Sequence, residues 1–284
     1  MKLSQRIAVN YYKTKFKTLA LISTRKAAEA AFKLFCTPYS GKPKREQPLV
    51  FRKAEELQLD IAGLKISGWS WVPEKPNGKK ILIVHGFDSC SYKFEKYVPL
   101  FLKEGFEVLA FDAPGHGASE GKYIYIPLYR DMLLKINEHY GPIYGIMAHS
   151  LGGMAAGLMV EDLQNIPKLI LIAPAVELER GLNNFANFVG LSDEIKRELS
   201  QVIVDAGQLP ISFYSLSRAV QKISSSILWL HDERDSICPF DDVLPVINMN
   251  LPHIQFYITK GLGHSNIYKN SKSIQKVVSF LAES

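Results

Sequence analysis

Residues 143–153, Ile-Tyr-Gly-Ile-Met-Ala-His-Ser-Leu-Gly-Gly, leave this chain few architectures. An apolar run through Ile143, Tyr144, Ile146 and Met147 predicts a strand. It ends in Ala148-His149-Ser150-Leu151-Gly152-Gly153, and a helix is predicted over Met154 to Leu163. A serine on so sharp a turn is held in a strained backbone conformation, with strand and helix close on either side. Only small residues fit two places before and two places after it, and Ala148 and Gly152 fill those places. Ser150 also fits a second reading, as a helix N-cap.

The rest of the composition sets bounds. A chain of 284 residues suits one large α/β domain, or such a domain with an appendage. Three widely spaced cysteines, Cys36, Cys90 and Cys238, make neither a disulfide framework nor a metal-spaced pair, so a reducing, cytoplasmic setting is expected. No apolar run reaches membrane-spanning length, and the N-terminus lacks the uninterrupted apolar core of a signal peptide. No cofactor is expected. No His/Cys/Asp cluster has metal-ligand spacing, and no glycine-rich dinucleotide fingerprint is present.

The charge is uneven. Within residues 1–35, eight basic residues against the single acid Glu29 carry plus seven, while the whole chain carries plus six. The remainder is near neutral, which argues against a nucleic-acid-binding domain. Tyr12, Phe16, Leu19, Ala27, Ala30 and Leu34 recur at helical spacing and predict a helix over residues 4–35, closed by Cys36-Thr37-Pro38. Ser40 to Arg45 reads as a linker, which makes residues 1–45 a basic helical extension and 46–284 the main domain. Two readings of the extension stand: a basic amphipathic helix on an anionic membrane surface or partner, or a helix packed on the protein with its lysines solvated.

Alternation from Leu57 to Val72 predicts an antiparallel hairpin. Continuous apolar strands follow at Lys80 to His85, Phe106 to Phe111, Lys168 to Ala173 and Ile227 to His231, of the kind buried on both faces of a parallel sheet, with a last strand at Ile254 to Ile258. Helices are expected over Tyr92 to Gly105, Tyr129 to Tyr140 and Lys272 to Ala282. Turn-rich loops end several strands: His85-Gly86-Phe87, Asp112 to Ser119, Asp232 to Pro239, and Gly261 to Ser265. Residues 175 to about 216 fit no sheet element, and Ser192-Asp193-Glu194 marks a helix start inside them.

Five of these segments, in this order, resemble the α/β-hydrolase fold over about residues 55–284. The resemblance implies a mostly parallel central sheet flanked by helices, with a helical cap at about 175–216. It makes Ser150 the nucleophile on its elbow. It makes Asp235 the acid, from the spacing of the His231 to Pro239 loop, with Asp232 as a nearby rival. It makes His264 the base, the one histidine after both the acid loop and the last strand. The amides of Phe87 and Leu151 would form the oxyanion hole, and Asp112 and His116 would shape a loop wall. The chemistry implied is that of a serine hydrolase cleaving a carboxylic ester or thioester of a small or lipid-like substrate through an acyl-serine. Acyl transfer with the same triad, and a non-catalytic ligand-binding protein on this fold, are the alternatives. A serine nucleophile argues against the haloalkane dehalogenase and epoxide hydrolase branches, which use aspartate.

Overall fold

The computed structural model describes residues 3–39 and 46–283; the expected linker at 40–45 lies outside them. The strands are β1 (Glu55–Ile61), β2 (Leu64–Trp71), β3 (Lys80–Val84), β4 (Glu107–Phe111), β5 (Gly145–His149), β6 (Lys168–Ile172), β7 (Ser226–Asp232) and β8 (Ile254–Thr259). The helices are α1 (Leu3–Ile22), α2 (Thr24–Phe35), α3 (Val98–Lys103), α4 (Ile126–Tyr140), α5 (Leu151–Leu163), α6 (Leu178–Val189), α7 (Asp193–Gly207), α8 (Leu216–Ala219), α9 (Leu244–Asn248), α10 (Gly263–Asn266) and α11 (Ser271–Ala282).

All eight strands form one sheet in the order β1-β2-β4-β3-β5-β6-β7-β8. The β1/β2 hairpin and the β2/β4 pair are antiparallel, and every later pair is parallel. Successive side chains on a strand point to opposite faces. On β3, Leu82 and Val84 join an apolar layer with Tyr129 and Leu133 of α4 and Ala156 and Met159 of α5. Ile81 and Ile83 join the opposite layer with Phe101 of α3 and Val277 and Leu281 of α11. Burial on both faces accounts for the unbroken apolar runs of β3, β6 and β7.

Helices α4 and α5 each begin three residues before the expected limits, and two other helices differ more. The single helix expected over 4–35 is two, because the Ser23 side chain accepts from the Lys26 amide at 3.3 Å and caps α2. The helix expected over Tyr92 to Gly105 is shorter. A 3₁₀ turn at Ser91–Phe94 precedes α3, whose first turn holds Pro99, a residue suited to a helix start and not to its interior.

The chain divides into two compact units, one of Pro38–Val176 with Leu216–Ser284 and one of Met1–Thr37 with Glu177–Ser215. The first holds the sheet. In the second, the N-terminal helices share a unit with the 177–215 insertion. The cause is packing between complementary helices. Ala27, Ala28 and Ala31 of α2 are fully buried, and small side chains let α7 approach with Ile195, Leu199 and Val202. Phe35 meets Phe185 of α6 with ring centroids 5.1 Å apart. Arg25 reaches Glu198 at 3.2 Å and Asp205 at 2.6 Å on α7. These ion pairs are solvent-exposed, so the buried alanine face carries most of the association.

Candidate active site

Parallel strands deliver their C-terminal ends to one edge of a sheet, where segments distant in sequence meet. Here β3 ends at His85-Gly86-Phe87, β5 at Ser150, β7 at the 232–239 loop, and β8 at the loop to His264.

Ser150 has φ 55° and ψ −124°, a conformation that costs a non-glycine residue about 1–3 kcal/mol. The surroundings fix it: its amide donates to the Ile172 carbonyl at 3.1 Å, and its carbonyl accepts from Gly153 at 2.9 Å and Ala175 at 3.0 Å. A side chain at Gly152 would collide with the His85 carbonyl. Ser150 occupies the N-cap position of α5, yet its hydroxyl caps nothing. It lies instead 3.0 Å from Nε2 of His264. Nδ1 of His264 is 2.8 Å from Oδ2 of Asp235.

Asp235 is buried, and its Oδ1 accepts the amides of Ile237 at 2.8 Å and Cys238 at 2.9 Å. Burial alone would raise its pKa. The His264 hydrogen bond and charge, with the two amides, outweigh burial and hold the carboxyl below its ordinary value. An ionised Asp235 can only accept, so Nδ1 carries the imidazole proton and Nε2 faces Ser150 Oγ. Asp232 does not reach His264. Its oxygens take the Thr259 hydroxyl at 2.7 Å and the amides of Leu262 at 2.8 Å, Arg234 at 2.9 Å and Gly261 at 3.1 Å. Burial opposes its charge, but these bonds prevail and hold its pKa at about 2.

Gly86 lets backbone approach Ser150: a Cβ there would lie 2.8 Å from Ser150 Cβ. The Gly86 carbonyl accepts from Nδ1 of His85 at 2.7 Å, while Nε2 of the same ring accepts the Ala113 amide at 2.9 Å. The Gly86–Phe87 peptide is thereby pinned by its carbonyl, and its trans N–H points the other way. One residue on, the Asp88 amide donates to Nε2 of His116 at 3.1 Å. Asp112 accepts Ser91 at 2.7 Å and Ala118 at 2.9 Å. Among the described residues the amides of Phe87 and Leu151 donate to no acceptor, and Leu151 opens α5, where helix amides have no internal partner.

The sequence did not single out His149. It is buried, its Nε2 lies 3.2 Å from the His264 carbonyl, and the two rings are 4.7 Å apart. Its Nδ1 has no partner among the described residues. Burial, reinforced by His264, lowers its pKa to about 3, so the ring is neutral and Nε2–H donates. Cys238 holds Asp235 by its amide. In the sequence His149 is marked only by standing next to Ser150, and Cys238 only by lying in the 231–239 loop. Among the described residues no group of three or more His, Cys, Asp or Glu is placed to hold a metal ion.

This sheet, with a serine on a strained turn after β5, is that of an α/β-hydrolase. The family described as serine aminopeptidase, S33, matches residues 75–228, and the chain belongs to it. Among curated proteins it is similar to a serine hydrolase-like protein of Dictyostelium discoideum, 26% identical over 127 residues. It is also similar to the uncharacterized hydrolase YugF of Bacillus subtilis, 29% identical over 114 residues. These matches span 43% and 38% of this chain, and only 35% and 41% of the relatives' lengths. Among solved structures, the Pyrococcus furiosus esterase Pf2001 superposes with a TM-score of 0.63 at 19% identity, over 85% of this chain and 95% of its own. A monoacylglycerol lipase of Paleococcus ferrophilus gives 0.59 at 21% identity, over 76% and 98%. At these identities the likeness is one of fold.

Proposed function

We propose that the protein is a serine hydrolase of carboxylic esters or thioesters of small or lipid-like molecules, working through an acyl-enzyme on Ser150. One observation carries the reading: Ser150 Oγ, the His264 ring and the Asp235 carboxylate lie in line at 3.0 and 2.8 Å. Ser150 attacks the carbonyl carbon as Nε2 of His264 takes its proton. Asp235 holds the ring in the required tautomer and stabilises it once charged. The tetrahedral oxygen sits against the amides of Phe87 and Leu151, each such donor worth about 3–4 kcal/mol in the transition state. His264 then protonates the leaving alcohol or thiol, and water repeats the sequence on the acyl-serine. The 177–215 insertion, which leaves the chain between β6 and β7, is assigned as the cap.

The test is intact-mass labelling with a fluorophosphonate, followed by a chain-length series of esters, thioesters and aminoacyl arylamides. One adduct on wild type and none on Ser150→Ala, with esters or thioesters turned over fastest, is expected. Faster arylamide cleavage would replace the ester reading with a peptidase. Acyl transfer to an added alcohol or thiol ahead of hydrolysis would replace it with an acyltransferase. An unlabelled wild type would favour a binding protein on this fold.

A further inference from the structure

Helix α1 has two apolar faces, and the protein covers only one. Phe16 is buried, and Val9, Tyr12, Leu19 and Ala20 beside it are half-buried, at the spacing of a single stripe. At 3.6 residues per turn the opposite side carries Ile7, Tyr11, Thr14, Thr18, Leu21 and Ile22. Its four apolar members are 62%, 60%, 88% and 73% exposed. Large side chains left in water along a helix are unlike the scattered exposed residues of an ordinary surface.

Charge says what covers them. Arg6, Lys13 and Lys17 run along one border of the exposed stripe, and Lys15 along the other with its Nζ 6.0 Å from the Tyr11 ring centre. All four are exposed, and none pairs with a carboxylate among the described residues. No acid occurs in α1 at all. An apolar strip edged by cations on long flexible stems is the arrangement that lies in a lipid headgroup layer, with apolar groups in the acyl boundary and ammonium groups reaching to phosphates. Phe188 of α6 extends the set. It is also exposed, and lies two residues from Gly190, whose backbone packs against the Lys13 side chain.

We propose that the outer face of α1 docks this protein onto an anionic phospholipid surface, with Ile7, Tyr11, Leu21 and Ile22 inserted and Arg6, Lys13, Lys15 and Lys17 on the headgroups. Packing within the protein accounts for one face of the helix, and the bilayer for the other. The attachment is peripheral, since no described helix is long and apolar enough to cross a membrane. It stands apart from the hydrolase reading, because binding is measured with no substrate present.

The experiment is flotation of the full chain with vesicles of phosphatidylcholine, with and without one-third phosphatidylglycerol. Binding to the anionic vesicles only, weakening as salt rises, is expected. Each Lys→Gln change at 13, 15 or 17 weakens partitioning about fivefold, the equivalent of ~1 kcal/mol per basic residue. Joint replacement of Ile7, Tyr11, Leu21 and Ile22 by Ser abolishes it. Far-UV circular dichroism and fluorophosphonate labelling report the fold of each variant, and all these positions are on the surface. Failure of the wild type to float with anionic vesicles at low salt would overturn the proposal, as would flotation insensitive to both sets of changes. Light scattering covers the competing occupant: a dimer that the serine variant dissolves, without vesicle binding, would assign the face to a second copy of the chain.

Discussion

Asp235 uses both of its oxygens, one on two loop amides and one on His264. In the proposed mechanism the second bond sets the tautomer, so Asp235→Asn, which keeps the shape and offers an N–H instead, should lower kcat by about 10⁴. Steady-state kinetics with an unchanged circular dichroism spectrum checks this. The histidines around the site make a separate prediction about stability. Burial first of all lowers the pKa of His85 and His116 to about 4 and of His149 to about 3, and it lowers that of His231 as well. An unfolded chain titrates these groups near 6.5. Between 6.5 and the folded values the unfolded state therefore binds protons that the native state refuses, and stability falls as pH falls. Each such group contributes up to about 1.4 kcal/mol per pH unit. Asp112, raised by burial, works the other way. Urea midpoints should drop steadily from pH 7 to pH 4, and His116→Gln should flatten the slope. The residue that lies against His264 was written in the sequence as a spacing. Asp232 and Asp235 differ only in what the surrounding turn offers them, and the 231–239 motif distinguishes them. His149 had no such pattern: its contact with His264 spans 115 residues and exists only once β5 and β8 are in the same sheet.

Among the elements, strands were more legible than helices. Buried parallel strands declare themselves as apolar runs ended by turn residues, and β3, β6 and β7 lie within two residues of the expected limits. Helix limits depend on single capping contacts. The break at Ser23 rests on one hydrogen bond to Lys26, in a stretch whose apolar periodicity runs on through it. Ser23→Ala should cost about 1 kcal/mol, read from thermal unfolding. The larger effect belongs to the α2–α7 contact. Ala31→Leu adds three carbons where there is no space, and overpacking of this kind costs roughly 1–3 kcal/mol. Arg25→Ala, at an exposed network, should do less than either. Thermal unfolding of the three variants ranks them.

At the scale of the whole molecule, the strands themselves followed from patterns local to each, whereas the pairing of α1 and α2 with the insertion did not. Nothing in residues 1–37 names residues 177–215 as a partner. The match lies in a small-residue face on one side and an apolar face on the other, both of which read alone as ordinary amphipathic helices. Deleting residues 1–37 should therefore do more than remove charge. It uncovers Phe185 and the apolar side of α7, and the expected result is binding of a hydrophobic dye and a lower unfolding temperature.

That division of one unit between two stretches of chain also orders events during synthesis. α2 leaves the ribosome about 170 residues ahead of α7, and at 5–20 residues per second the interval is roughly 10–30 s. For that time the alanine face of α2 is without α7, its partner in the finished fold. The N-terminal helices are made well before the insertion they pack with. Their cations, which keep a waiting helix soluble, then serve the nascent chain before they serve the finished one.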